Sequence, residues 1–201
     1  MKVDKRISND VMIAEFLSAE INSDRFGDKI RGILREKGYS KELINKPVFD
    51  QEENEKRQVV LAECRGYGLD KNIFENFPDD MEWFEGTINV NDLDSLKYIN
   101  WDWWLKITDG TRLIRDAEKN IRKGKEVGEL EVERFERILM AIKKGRKIAR
   151  PIIVAKDRDC QLVILEGHAR LTAYGLDRTI FPKELPVIFG FSKSIGGWDL
   201  Y

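Results

Sequence analysis

Cysteine and histidine are scarce in this chain of 201 residues, which has two cysteines and one histidine. Cys64 and Cys160 lie far apart, without CxxC spacing or a neighbouring histidine. This spacing excludes a zinc-finger site and a disulfide framework. Sparse, unpaired cysteine is typical of proteins from a reducing compartment, so we expect a cytoplasmic protein.

Long hydrophobic runs are lacking as well. The N-terminal stretch MKVDKRISND has no apolar core of the kind that a secretory signal needs, and no segment resembles a membrane span. We therefore expect no membrane partner. The hydrophobic fraction of 42% and the charged fraction of 35% predict a folded, globular chain.

The formal net charge is −1, so neither sign of charge is in excess overall. The charges are nevertheless unevenly distributed along the chain. Residues 50–102 carry 14 Asp and Glu against 5 Lys and Arg, whereas residues 112–150 carry 13 Lys and Arg against 7 Asp and Glu. Two interpretations stay open: offsetting solvated faces, or a basic segment that holds polyphosphate or nucleic acid. Aromatic residues do not interleave the basic ones, as a single-strand binding groove would need.

The first part of the chain has the periodicity of helices. Apolar residues recur at helical spacing in 11–21 and 24–37, and a third helix is predicted over 51–66, ending near Gly66. We divide the chain into a helical N-terminal region, 1–80, and a second domain, 81–201. The N-terminal region carries no recognisable motif. It is open whether it covers a pocket, forms a homodimer or binds another partner.

The second part mixes strands and helices, which predicts an α+β fold. Its predicted elements are a strand in GTINV, a short helix capped by Asp92, a helix over 111–123, an amphipathic helix from Gly128 to Gly145, strands in PIIVAK and QLVIL, a helix from His168 to Leu176 and a strand in ELPVIFG. Three of the five tryptophans fall within 101–104, where they indicate core or an interface.

The stretch ARPIIVAKDRDCQLVILEGHARLTAYGL, followed by ELPVIFG, resembles the core of the ParB/sulfiredoxin superfamily. That family pairs a PIxV strand with a strand that ends in a Gly-x-x-Arg turn, followed by a helix and another strand. The turn here is Gly167 to Arg170, preceded by Glu166. EGHAR is similar to the DGHHR and DGHTR of ParB-like domains and of the free serine kinases that share the fold. The resemblance spans residues 85–191 and is specific only within 150–190.

The resemblance implies a ParB/sulfiredoxin-like mixed sheet with packed helices, and a nucleotide, ATP, ADP or CTP with Mg²⁺, as ligand. Elementary chemistry agrees: a glycine allows close approach, and the N–H groups at a helix start bind phosphate oxygens. The implied nucleotide-binding residues at the turn are Gly167, His168, Ala169 and Arg170, and Arg150 precedes the paired strand. No P-loop or GxGxxG pattern is present, which excludes those nucleotide-binding classes.

Each residue of the turn also has a structural interpretation. Gly167 would serve a tight turn, Arg170 would pair with Glu166, and His168 would cap or pack. Glu166 is a candidate catalytic residue, with three roles open: binding Mg²⁺, acting as a base, or orienting Arg170. His168 is the second candidate catalytic residue.

A second constellation is TDGTR, residues 108–112, which also precedes a predicted helix. ParB-like proteins often contribute an arginine to the nucleotide pocket from the corresponding loop, which makes Arg112 a candidate here. Thr111 joins it as a candidate nucleotide-binding residue, and Asp109 as a candidate catalytic carboxylate. The structural alternative is a type I turn in which Thr111 caps the helix.

Two functions of the family are not expected here. Sulfinic acid reduction requires a cysteine in the turn, where this chain has His168 and Ala169. Partition-type operator binding requires a helix-turn-helix domain, and the chain ends soon after its last predicted strand. Two classes remain: a nucleotide-binding enzyme that hydrolyses the nucleotide or transfers a phosphoryl group to a small acceptor, and a DNA- or RNA-binding, or nuclease-like, module.

Overall fold

The computed structural model describes residues 1–128 and 132–201. Its helices are α1 Asn9–Glu20, α2 Gly27–Glu36, α3 Glu42–Asn45, α4 Gln51–Arg65, α5 Asp102–Ile107, α6 Ile114–Arg122, α7 Val132–Lys143 and α8 His168–Leu176. Its strands are β1 Lys2–Ile7, β2 Glu82–Ile88, β3 Ile152–Ala155, β4 Val163–Glu166 and β5 Leu185–Phe191. Short 3₁₀ turns lie at Asn72–Phe74, Val90–Asp94, Arg178–Ile180 and Ile195–Gly197. The fold is α+β, as predicted.

The sheet is mixed, with the strand order β1-β2-β5-β3-β4. Strands β3 and β5 pair in parallel, and the other neighbouring pairs are antiparallel. The predicted antiparallel pair, β3 with β4, is confirmed, with Ile153 opposite Ile164. All four side chains of β3 are buried, which explains why this segment is a continuous apolar run.

The three predicted N-terminal helices are confirmed. Helix α4 begins after Asp50, whose carboxylate accepts the N–H of Glu53 at 2.8 Å, and it ends at Gly66, whose φ is 87°. A side chain at Gly66 would meet the carbonyl oxygen of Lys71 at 2.2 Å. Both ends of α4 are therefore fixed by local chemistry that the sequence displays.

Strand β1 was not predicted. Its sequence KVDKRI has two partly buried side chains, Val3 and Ile7, and four exposed ones, so its apolar alternation is weak. It pairs antiparallel with β2 at the edge of the sheet, where lysine and arginine discourage pairing with another chain. The first residues of the chain thus belong to the sheet rather than to a purely helical region.

A single hydrophobic core runs through the described residues, from Met12 in α1 to Trp198 near the C-terminus. Polar contacts also join the early and late parts of the chain. The indole N–H of Trp198 donates to the carbonyl of Ile73 at 2.9 Å, and Arg150 contacts Glu15 of α1 at 2.9 Å. The N-terminal helices and the sheet are packed as neighbours in one core.

Two helix starts in the middle of the chain differ from prediction. The cap of the 3₁₀ turn at Val90–Asp94 is Asn89, and Asp92 instead accepts the N–H of Asn89 at 2.8 Å in a capping box. The helix predicted from residue 111 begins at Ile114, because Arg112 has a φ of 64° that no right-handed helix accommodates.

The amphipathic helix predicted between Gly128 and Gly145 is α7. Its expected start includes residues 129–131, which lie outside the described residues. Phe135 is buried, whereas Ile138, Leu139 and Ile142 of the same stripe are half-buried. Across the described ranges, none of the helices is long and apolar enough to cross a membrane.

Candidate functional site

The junction of β4 and α8 is a sharp turn at Gly167. Its φ of 101° lies in the region that favours glycine. A Cβ at this position would stand 3.0 Å from Cβ of Pro151 and 3.1 Å from its Cα. The residue before β3 therefore presses on the turn, and glycine is required both by conformation and by space.

The start of α8 presents backbone donors. The N–H of Leu171 donates to the carbonyl of Gly167 at 2.9 Å, which closes the first turn of the helix. The N–H groups of His168, Ala169 and Arg170 precede that bond, so the helix itself offers them no acceptor. These donors and the helix dipole together favour an anion.

Glu166 and Arg170 form an ion pair across this turn, and their side chains are only 15% and 13% exposed. The Arg170 guanidinium also donates to the carbonyl of Ala149 at 2.7 Å. Burial lowers the pKa of Arg170 to about 10, so it keeps its charge near neutral pH. Of the three roles open for Glu166, this contact corresponds to orienting Arg170.

The imidazole of His168 lies in an aromatic stack. Its centroid is 5.4 Å from that of Trp104 at an interplanar angle of 14°, and Trp104 stacks on Tyr98 at 4.1 Å. Burial, followed by the positive charges of Arg65 and Arg25, lowers the pKa of His168 to about 3. The imidazole is therefore uncharged near neutral pH and supplies no positive charge to a ligand.

The Nε2 atom of His168 is buried, and no hydrogen-bond partner is found for it among residues 1–128 and 132–201. A buried polar atom without a partner costs free energy. His168 is also the first residue of α8.

Two arginines of the N-terminal half lie on this side of the molecule, and the sequence did not indicate them. The guanidinium of Arg65 stacks on Phe26 at 3.8 Å, and that of Arg25 lies 5.1 Å from the same ring and 4.9 Å from Trp103. The positive charges of both arginines contribute to the lowered pKa of His168. No motif marks them, because they reach the turn only through packing of the N-terminal helices on the sheet.

Carboxylates of α1 balance part of this charge. Glu20 is buried, accepts the hydroxyl of Ser23 at 3.0 Å, and raises the pKa of both Arg65 and Arg170 against the larger lowering by burial. Arg134 of α7 acts on Arg170 with the opposite sign. Among the described residues, charges of both signs therefore act on the turn.

Arg150 lies one residue before Pro151, but its guanidinium is committed elsewhere. It donates to Glu15 at 2.9 Å and to Glu85 at 2.9 Å, and its backbone N–H donates to Glu15 at 2.6 Å. These contacts join α1, β2 and the approach to β3. Arg150 therefore belongs to this network, and it follows Ala149, whose carbonyl accepts the hydrogen bond from Arg170.

The side chains of the second constellation, residues 108–112, do not converge on the turn at Gly167. Arg112 donates to the carbonyl of Tyr98 at 2.9 Å and to that of Tyr201 at 2.7 Å, and so fixes the C-terminal residues. Thr111 donates to Asp116 at 2.6 Å and accepts the N–H of Leu113 at 3.2 Å, so its contacts are local, but the residue that caps α6 is Leu113 and not Thr111.

Asp109 is exposed and is held by two partners. Lys125 pairs with one carboxylate oxygen, and the side-chain amide of Asn120 donates to the other at 2.9 Å. Both contacts, that of Lys125 first, lower the pKa of Asp109. The carboxylate therefore stays ionised and poorly suited to act as a base near neutral pH.

Within the part of the chain that the structure describes, there is no group of three or more His, Cys, Asp or Glu arranged to hold a metal ion. Comparisons of the chain with protein-family models, with curated proteins and with solved structures found no match. The geometry of the turn and its neighbours is therefore the basis for inferring a function.

Proposed function

We propose that this protein binds a nucleoside polyphosphate, with its phosphates at the N-terminus of α8, on a ParB/sulfiredoxin-like scaffold. The observation that carries the proposal is the turn itself: Gly167 holds a left-handed backbone, and three backbone N–H groups follow it at the start of a helix. Arg170 belongs to the turn, and the positive charges of Arg65 and Arg25 act on His168 at its first helical residue.

The same geometry favours binding over acid–base chemistry by the turn. Glu166 is paired with Arg170, and His168 is uncharged and stacked. Phosphoryl transfer, or hydrolysis, needs positioning and neutralisation of charge more than a reactive side chain, and arginines and helix donors provide both. Transfer to a small acceptor is accordingly the reaction that we propose for this site.

Magnesium would be carried by the phosphates. Mg²⁺ usually keeps several waters and binds through substrate phosphates and only one or two carboxylates. Glu166 pairs with Arg170, and the negative charge of Glu20 acts on Arg65 and Arg170. These residues fit a metal–nucleotide complex better than a metal held by the protein alone.

The alternative is that the turn receives a phosphate of DNA or RNA, extended by the basic segment 112–150. Several cations of that segment are used within the molecule. Lys143 pairs with Asp177 at 2.7 Å, Arg122 donates to the carbonyl of Leu176, and Arg150 joins two glutamates. This internal use of charge is the reason that we place nucleic-acid binding second.

A thermal-shift panel tests the proposal, with ATP, ADP, CTP, GTP and a short DNA, each with and without Mg²⁺ and at two salt concentrations. We expect a magnesium-dependent stabilisation by nucleotide that survives moderate salt. Stabilisation by DNA alone, lost between low and moderate salt, would favour the nucleic-acid alternative.

Arginine variants test where on the protein the nucleotide binds. Arg65→Gln should weaken nucleotide binding about tenfold, since a hydrogen bond to a charged group contributes about 1.5–3 kcal/mol. Arg115→Gln, an exposed arginine of α6, is the control and should leave nucleotide affinity unchanged. Arg170→Ala is a poorer probe, because it would leave Glu166 buried without its partner.

A further inference from the structure

A groove of about 570 Å³ lies beside α5. Its volume is within the range of small-molecule sites, about 300–1,000 Å³. The residues that line it are Trp103, Lys106, Lys125, Glu126, Val127 and Gly128. This concave surface thus combines an aromatic ring, two cations, one carboxylate and backbone atoms.

Helix α5 joins this groove to the turn. Trp103 and Trp104 are consecutive, and they serve different sides: Trp104 is buried against His168, whereas Trp103 is half-buried and lines the groove. Arg25 lies over the Trp103 ring at 4.9 Å and shares the Phe26 ring with Arg65. A ligand with its phosphates among these arginines would meet Trp103 next.

The two lysines of the groove are held by weak contacts. Lys106 pairs with Asp102 at 2.6 Å one helical turn away, and Lys125 pairs with Asp109. Lys106, Asp102 and Asp109 are each more than 60% exposed, and exposed pairs of this kind contribute little to stability. Both ammonium groups can therefore turn towards polar atoms of a ligand at small cost.

We propose that this groove takes the base and ribose of the nucleotide, with the base stacked on Trp103 and the two lysines near polar groups of the ribose and base. This inference rests on the proposed function, because it assigns the other end of the same ligand. Stacking on an indole accepts any base, since every base has a π-face. The site is accordingly one for a nucleoside moiety without strict base selection.

Calorimetric titrations of ATP and of inorganic tripolyphosphate, each with Mg²⁺, test the assignment. In Trp103→Ala the affinity for ATP should fall about tenfold, the usual effect of losing one stacked base, and the affinity for tripolyphosphate should fall much less. Trp101→Ala is the matched control, because Trp101 is 42% exposed, directly precedes α5 and does not line the groove. It should leave both affinities unchanged.

The outcomes separate the two claims. Equal losses for ATP and tripolyphosphate, or unchanged ATP affinity in a folded Trp103 variant, would overturn the assignment of the groove and leave the phosphate site standing. If the wild-type protein binds neither ligand, the proposed function fails and the assignment fails with it. Trp103→Leu, which keeps apolar volume without a π-face, replaces Trp103→Ala if circular dichroism shows that the alanine variant does not fold.

Discussion

At the scale of single residues, the sole histidine shows how position decides chemistry. His168 stands inside the motif that indicated a site, yet its ring is stacked on Trp104 and its pKa is lowered to about 3. Its contribution to the site is therefore apolar surface and one buried ring nitrogen. Sequence could place this histidine at the turn, but not its charge state, which depends on Trp104, Arg65 and Arg25 from distant parts of the chain.

The lowered pKa predicts a pH dependence of stability. In the unfolded chain His168 titrates near its ordinary pKa of 6.5, and in the folded protein near 3. Between these values the unfolded state binds more protons, so the free energy of unfolding decreases as pH falls, by up to about 1.4 kcal/mol per pH unit. Urea unfolding at pH 7 and pH 5 should show the wild-type protein losing stability.

The variant His168→Gln removes the titrating group and isolates its effect. Its free energy of unfolding should change less between pH 7 and pH 5 than that of the wild-type protein. An equal pH dependence in the two proteins would mean that His168 is not held uncharged in the folded state.

At the scale of elements, the contact between α6 and α8 depends on a missing side chain. A Cβ at Gly175 of α8 would lie 2.3 Å from a carboxylate oxygen of Glu118 in α6. Glu118 is itself buried and accepts from Arg178 at 3.0 Å, and Arg178 also contacts Asp94 at 2.6 Å. The glycine allows α8 to pack on this polar cluster.

A pair of glycine variants tests that contact. In an open helix interior Gly→Ala stabilises by about 1 kcal/mol. A Cβ added at Gly32 of α2 would meet nothing within 4 Å, so Gly32→Ala should raise the melting temperature. Gly175→Ala should lower it, because Glu118 must leave Arg178 to make room. Stabilisation by both variants would show that α6 and α8 are not closely packed.

The sequence predicts some helices and strands better than others. Helix α4, with Asp50 before it and Gly66 after it, carries its own start and stop signals. Strand β1 carries none, because an edge strand with two half-buried residues is stabilised by pairing with β2 rather than by its own pattern. The Gly167 turn was predictable from a local motif, whereas Arg25 and Arg65 were not, since only packing brings them near it.

At the scale of the whole molecule, the division at residue 80 that the sequence predicts can be tested against the observed packing. The core is continuous from Met12 to Trp198, and β1 belongs to the same sheet as β5. We expect one cooperative unfolding transition. Circular dichroism, which reports mainly on helices, and tryptophan fluorescence, which reports on residues 83–198, should give the same midpoint in urea. Separate midpoints would favour two independently folding regions.

The central claim is that phosphates bind at the start of α8, and backbone NMR tests it most directly. In a titration of the ¹⁵N-labelled protein with Mg²⁺–ATP, the amide resonances of His168, Ala169 and Arg170 should shift most, together with that of Gly167. Shifts confined to exposed basic residues of α6 and the segment after α7, with the turn unchanged, would contradict that claim.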